Sequence, residues 1–143
     1  MPQVNRSARV PHTAAQMFDL VNDVESYPQF LHWCPGARIE REEGSTIEAV
    51  LEIGLGGIHK SFRTRNTLKR PEQIDIELVS GPFRHLEGVW RFSDLKEGGS
   101  EVQLTLEFEV ATSPLSMIFS TVFEELARNQ MNAFIARAAE IYG

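Results

Sequence analysis

The sequence predicts an α+β fold in which a long, curved antiparallel sheet of about seven strands wraps around a long C-terminal helix. Hydrophobic residues recur at every second position for about seventy residues from Ala37 onward, which is typical of half-buried strands. After Ser113 the period changes to 3.6, which is typical of a helix. Short turns separate the alternating segments, and such turns favour antiparallel neighbours. No repeat or linker divides the 143 residues, so we predict one domain, 1–143.

The N-terminal third predicts one strand and two short helices. Hydrophobic and polar residues alternate from Val4 to Val10, and Pro11 ends this first strand. Thr13 and Gln16 have the spacing of a capping box, which predicts a helix that ends within 23–28. The segment 27–35 carries three aromatic residues and two prolines, and we expect a short helix followed by a loop there.

Six further strands are predicted from the alternating region. Turns are expected at 70–73 and 96–99, and Gly88 stands at a mid-strand position where the sheet could bend. The predicted inward residues, strand by strand, are Ile39; Ile47, Ala49, Leu51, Ile53 and Leu55; Phe62 and Leu68; Ile74, Ile76 and Leu78; Leu86, Trp90 and Phe92; and Val102, Leu104, Leu106, Phe108 and Val110.

The C-terminal segment predicts a helix of roughly 29 residues, or ~43 Å, which is long enough to cross a sheet. Ser113 is the expected N-cap, and Pro114 is suited to the first turn. One stripe of this helix contains Leu115, Phe119, Val122, Phe123, Leu126, Ala133, Phe134 and Ile141.

Composition narrows the class of protein. The formal net charge of −6 argues against nucleic-acid binding driven by the overall charge of the protein. A single cysteine excludes an internal disulfide framework and a cysteine-based zinc site. The sequence shows no secretory signal, transit peptide or apolar run of ~18 residues. We therefore expect a cytoplasmic protein that could associate peripherally with the inner membrane.

The sequence offers no constellation for catalysis or metal binding. Four histidines, His12, His32, His59 and His85, lie in different elements without an i,i+4 partner. Cys34 is interpreted as a small buried filler, and no Gly-x-Ser-x-Gly motif is present. We predict no catalytic residue, no metal ligand and no cofactor, and therefore a non-enzymatic binding protein.

Two interpretations of the inward residues remain open. They form either an ordinary aromatic core or an apolar ligand pocket, since Gln130 and Arg137 project from the helical stripe and need partners. The loop aromatics form either the mouth of that pocket or a plug over the core. The candidate ligand-binding residues are Tyr27, Phe30, Trp33, Phe62, Phe83, Trp90, Phe119, Phe123, Leu126, Gln130, Ala133 and Arg137.

A basic stripe is the second candidate site. Five cations lie within 60–70, a stretch without a carboxylate, and the candidate nucleic-acid-binding residues are Lys60, Arg63, Arg65 and Lys69. Alternatively, the next strand neutralises the stripe, because hairpin register sets Glu77 opposite Arg65 and Asp75 opposite Thr67.

Three ordered motifs carry a family resemblance. The segments 21–31 (VNDVESYPQFL), 80–83 (SGPF) and 90–92 (WRF) resemble the coenzyme Q-binding and ribosome-association toxin RatA family, as do the opening Met1-Pro2-Gln3 and the helical segment 123–127. The resemblance spans essentially the whole chain. It implies a START-like helix-grip fold and a single START-like ligand-binding domain.

The resemblance also implies function. The first implication is binding of ubiquinone or a similar polyprenylated quinone in an apolar cavity, in support of respiratory electron transport. The alternative is a RatA-type toxin that binds the large ribosomal subunit and blocks subunit association. A third is a polyketide cyclase/dehydrase-like enzyme, which would need ionisable groups in the pocket; Arg6, Arg41 and Arg137 are the inward-phase candidates. The expected partners are accordingly a hydrophobic small molecule, a membrane surface and the ribosome.

Overall fold

The computed structural model describes residues 2–111 and 116–143, and its elements follow the predicted order. All seven strands form one antiparallel sheet in the order β1-β7-β6-β5-β4-β3-β2, which confirms the predicted helix-grip fold. The elements are β1 (Gln3–Val10), α1 (Ala14–Asn22), a 3₁₀ helix (Val24–Gln29), β2 (Ala37–Glu43), β3 (Thr46–Leu55), β4 (Ile58–Lys69), β5 (Gln73–Ser80), β6 (Phe83–Asp94), β7 (Ser100–Val110) and α2 (Ser116–Tyr142).

The start of α1 is fixed by the predicted capping box. The Thr13 side chain accepts a hydrogen bond from the Gln16 backbone N–H, and the Gln16 side chain accepts one from the Thr13 N–H. The Ala14 N–H donates to Oδ1 of Asp94, which ties the helix to β6. These bonds satisfy N–H groups that have no partner within the helix. The helix runs to Asn22 with Asp23 as its C-cap, at the start of the segment 23–28 in which its end was predicted, and the 3₁₀ helix follows at once.

The loop before β2 is attached to β3 by its backbone. Gly54 N–H donates to the Trp33 carbonyl at 2.8 Å, and Glu52 N–H donates to the Gly36 carbonyl at 2.9 Å. A Cβ at Gly54 would lie only 3.2 Å from Cγ of Pro35, so glycine permits this close approach. The pairing fixes the backbone of the aromatic loop against the sheet.

Helix α2 packs its apolar face on the concave side of the sheet. Phe119, Phe123, Leu126 and Phe134 are buried as predicted, and Ala127, Met131 and Ala138 complete this face. The prediction that Ile141 is on the buried stripe is wrong, because its side chain is 49% exposed. The next residue, Tyr142, instead anchors the helix end by donating from its hydroxyl to the Gln16 carbonyl. The predicted cap at Ser113 and Pro114, and Leu115, lie outside the described residues, as does Met1.

No helix within the described residues combines the length and apolar character needed to cross a membrane.

Candidate functional site

A cavity of about 100 Å³ lies between the sheet and the middle of α2. Its wall is almost entirely apolar, with contributions from strands β3 to β7, from the 3₁₀ helix and its loop, and from α2. Of the residues that we predicted for ligand binding, the structure brings seven together here: Tyr27, Trp33, Phe62, Trp90, Phe123, Leu126 and Gln130.

Three side chains supply amide or hydroxyl groups to this wall. Oε1 of Gln130 is fully buried and has no hydrogen-bond partner among the described residues. On the sheet side, the Thr64 hydroxyl donates to Oδ1 of Asn66 at 3.0 Å, which leaves the amide N–H groups of Asn66 as further donors. An unpaired buried acceptor costs about 1–3 kcal/mol, so Gln130 is the least satisfied group of the site.

Thr64 and Asn66 were not predicted as site residues. The alternation that places Phe62 and Leu68 on the inner face of β4 also places these two residues there. Both are buried, at 4% and 8% exposure. The signal was therefore present in the sequence, as two polar residues in the inward phase of a strand.

Tyr27 forms part of the wall through its ring. Its hydroxyl donates to the Val21 carbonyl, and its ring meets that of Phe134 edge-on, with centroids 5.4 Å apart. Burial raises the pKa of this hydroxyl far above its usual value. Tyr27 is therefore a neutral structural group and is not suited to proton transfer near neutral pH.

Two predicted ligand-binding residues, Phe83 and Phe119, lie beyond the cavity in an aromatic cluster. The ring of Phe83 is 4.8 Å from that of Phe123 and 5.6 Å from that of Phe119, measured between centroids. Phe108 joins the cluster from β7, also 4.8 Å from Phe123. This cluster closes the space between sheet and helix on the side of the cavity nearest the start of α2.

Phe30 and Arg137 are also outside the cavity lining. Arg137 Nη2 donates to Oε1 of Gln29 at 2.6 Å, and the guanidinium carbon lies 5.1 Å from the centre of the Phe30 ring. The guanidinium thus joins α2 to the end of the 3₁₀ helix. Tyr27, Leu31 and Trp33 are each at most 7% exposed. The aromatic loop therefore packs as a plug in this structure, one of its two predicted arrangements.

Ala133, the last predicted ligand-binding residue, lies in a separate groove of about 180 Å³ beside the cavity. The groove runs between α2, the aromatic loop and Leu55, and it shares Trp33 and Leu126 with the cavity wall. Ala133 therefore borders the groove and does not line the cavity.

The three arginines considered for an enzymatic site do not line the cavity. Arg6 is exposed and donates from Nε to the Arg128 carbonyl, and Arg41 pairs with Glu43 on the surface. Among the described residues that line the cavity there is no Asp, Glu, His, Lys or Arg. The three arginines therefore do not form the ionisable site that the enzymatic alternative needs in the cavity.

The cations of the basic stripe are paired with carboxylates. Arg65 lies 3.3 Å from Glu48 and 3.4 Å from Glu77, and these hydrogen bonds raise its pKa. Arg63 lies 3.7 Å from Glu48, and Lys69 lies 3.4 Å from Asp75. The predicted register, Arg65 opposite Glu77 and Thr67 opposite Asp75, is confirmed. Lys60 is exposed near the start of β4. The arrangement favours neutralisation of the stripe by its neighbours.

One histidine lies within a group of potential metal ligands. His85, Glu87 and Glu107 place ligand atoms within 4.8 Å of one another, across β6 and β7. Sequence spacing did not reveal this group, because Glu107 comes from the neighbouring strand. The group lies on the solvent-facing side of the sheet, opposite the cavity. Exposed acidic groups of this kind are common in proteins that bind no ion there.

The sequence of this chain matches a known protein family. Residues 10–135 match the family described as polyketide cyclase/dehydrase and lipid transport. The chain belongs to this family. The ribosome association toxin RatA of Escherichia coli K12 is 43% identical over 142 residues, which cover 99% of this chain and 90% of RatA.

A more distant relative and a solved structure extend the comparison. The mitochondrial coenzyme Q-binding protein COQ10 homolog B of Xenopus laevis is 29% identical over 132 residues, covering 90% of this chain and 54% of that protein. The crystal structure of the ZhuI aromatase/cyclase from a Streptomyces species superposes with a TM-score of 0.86 at 18% identity, covering 99% of this chain and 96% of that one. At that identity the likeness concerns the fold alone.

Proposed function

We propose that this protein is a non-enzymatic binding protein that holds ubiquinone or a similar polyprenylated quinone in the cavity between α2 and the sheet. The observation that carries the proposal is the buried, unpartnered amide oxygen of Gln130 in an otherwise apolar wall. Ligand sites typically combine apolar walls with a few polar groups that fix orientation. A coenzyme Q-binding protein among the relatives supports the ligand class.

The chemistry of the wall suits a quinone ring. Quinone oxygens accept hydrogen bonds, and the side-chain amides of Gln130 and Asn66 carry N–H donors on opposite sides of the cavity. The unpartnered Gln130 oxygen is itself an acceptor, so it pairs with a donor such as the hydroxyl of the reduced quinol, whereas the amide N–H donates to a quinone oxygen. Aromatic rings from both layers can then pack against the quinone.

Tryptophan fluorescence tests the proposal directly. The chain has two tryptophans, Trp33 and Trp90, and both line the cavity, so a bound quinone should quench them. Decylubiquinone should quench the emission saturably. Gln130→Leu should weaken binding about tenfold, equivalent to the ~1.4 kcal/mol of one lost hydrogen bond. Asn132→Leu, on the exposed face of α2, is the matched control and should leave binding unchanged.

Either of two results would contradict the proposal: quenching that rises linearly without saturation, or equal affinity for wild type and Gln130→Leu. Extraction of the freshly purified protein with organic solvent, followed by mass spectrometry, provides an independent check. A co-purified polyprenylated quinone is the expected finding.

The second candidate function is binding to the large ribosomal subunit with a block of subunit association. It is favoured by the 43% identity to a ribosome association toxin over nearly the whole chain. If Arg63, Arg65 and Lys69 contact RNA, changing all three to Ser should reduce co-sedimentation with the subunit and flatten its salt dependence. If the carboxylates neutralise the stripe, the triple variant should co-sediment as wild type does, and quinone binding should be unchanged in both cases.

A further inference from the structure

The groove beside the cavity has an apolar floor that the aromatic loop and α2 share. Leu31, Leu55 and Val122 line it together with Ala133, and Glu125 and Asn129 stand among its remaining residues. Each of the four apolar residues belongs to the groove alone and not to the cavity lining. The groove is thus a second space beside the cavity.

Two side chains separate the groove from the cavity. Trp33 and Leu126 line both spaces and are 7% and 8% exposed. The backbone at Trp33 is held, since its carbonyl accepts a hydrogen bond from Gly54 N–H at 2.8 Å. Trp33 and Leu126 are therefore the side chains that the two spaces share.

The sizes of the two spaces indicate joint use. Neither the cavity of about 100 Å³ nor the groove of about 180 Å³ reaches the roughly 300 Å³ at which pockets for drug-sized ligands begin. Together they approach that size. A ligand larger than a bare ring needs more space than the cavity alone provides, and the groove is an adjoining apolar space.

Aromatic side chains fill the interior on two sides of the cavity. Toward the start of α2, the cluster of Phe83, Phe119 and Phe123 fills the interior. Toward its end, the Phe134 ring packs edge-on against Trp90 at 5.4 Å and Phe30 at 5.3 Å, measured between centroids. On a third side, Trp33 and Leu126 form the boundary that the cavity shares with the apolar groove.

We propose that this groove takes the apolar chain of a ligand whose ring lies in the cavity, and that the small side chain of Ala133 admits the chain. Ala133 is then a specificity-determining residue for tailed ligands. The inference rests on the proposed quinone function but goes beyond it, because it assigns the tail to one face of α2 and separates its recognition from that of the ring.

The test compares a tailed and a tailless quinone in the full-length protein. Ala133→Phe should fill the groove, which decylubiquinone needs and the tailless dimethoxy-methyl-benzoquinone does not. We expect the affinity for decylubiquinone to fall by about tenfold or more and that for the tailless ring to change by less than about twofold, measured by tryptophan quenching. Ala136→Phe adds the same ring to the exposed face of α2 and should leave both affinities unchanged.

Circular dichroism and thermal unfolding show whether each variant keeps its fold, and Ala133→Leu provides a smaller obstruction if Ala133→Phe does not. Equal loss of both ligands, or no loss of either, in a folded variant overturns the groove assignment while leaving quinone binding in place. If neither quinone binds the wild-type protein, the proposed function fails, and the groove assignment fails with it.

Discussion

Arg137 Nη2 donates a 2.6 Å hydrogen bond to Oε1 of Gln29, across 108 positions of the chain. The same guanidinium packs over the ring of Phe30. The side chain of Arg137 is only 18% exposed, so the hydrogen bond is partly shielded from water. It joins the second half of α2 to the plug over the cavity, and this geometry explains why Arg137 projects from the helical stripe without entering the cavity.

Arg137→Met should lower the free energy of unfolding by about 1 kcal/mol. Methionine keeps the apolar stem but removes the charge-assisted hydrogen bond and the cation–π contact. Urea unfolding measures the change. Arg128→Met is the control, since Arg128 makes an exposed i,i+4 pair with Glu124 and its loss should cost less than ~0.5 kcal/mol. Equal effects in the two variants would mean that Arg137 is an ordinary surface cation.

Phe134→Ala should destabilise the protein by about 3–5 kcal/mol, because Phe134 is 1% exposed and its ring contacts those of Tyr27, Phe30 and Trp90. Ile141→Ala, on the same helix but half exposed, should cost less than ~0.5 kcal/mol. Both values come from chemical denaturation. A large loss of stability in Ile141→Ala would mean that Ile141 is buried, as the sequence predicted.

The difference between Phe134 and Ile141 shows what sequence periodicity can and cannot predict. Both residues share a phase of the helix, and periodicity reports phase alone. Whether a residue is buried also depends on where the sheet ends beneath the helix, which is a long-range property. The strands were predictable because alternation is local and because the Arg65–Glu77 register follows from a short turn.

The cavity was predictable to the same extent. The phases of Trp90, Phe123 and Gln130 place them on inner faces, and all three line the cavity. Phe83 is seven residues from Trp90 and so out of phase with it on β6; the register irregularity between Phe83 and His85 returns it to the inner face, but it lies too far along the strand to reach the cavity. Arg137 follows Gln130 by seven residues on the same face, yet its long side chain reaches outward to Gln29. Hydrophobic periodicity predicts which face of an element a residue is on. It does not predict how far along the element the cavity lies or how far a long side chain reaches.

Gln130→Leu should raise the free energy of unfolding by about 1 kcal/mol while weakening quinone binding. The substitution replaces a buried acceptor that has no protein partner with an apolar group of similar size. Thermal and urea unfolding without ligand measure the gain. A loss of stability would show that the Gln130 amide is satisfied within the protein, and it would remove the observation on which the proposed function rests.

The buried thiol of Cys34 should make the free energy of unfolding fall at alkaline pH. Its side chain is 2% exposed, and burial raises the pKa of the thiol from 9.0 to about 11. The folded state therefore binds the thiol proton more tightly than the unfolded state does. The corresponding contribution to stability is fully present below a pH of about 9 and is lost as the pH rises from there through about 11.

Comparing wild type with Cys34→Ala isolates this contribution. Alanine cannot titrate, so its loss of packing is the same at every pH, whereas Tyr27 and the other alkaline groups are common to both proteins. Between about pH 8 and pH 10, urea unfolding should show wild type losing about 1 kcal/mol more than Cys34→Ala. Parallel pH profiles would mean that the thiol ionises equally in both states. In that case the Cys34 site would be open to water, and the aromatic loop would not seal the core as a plug.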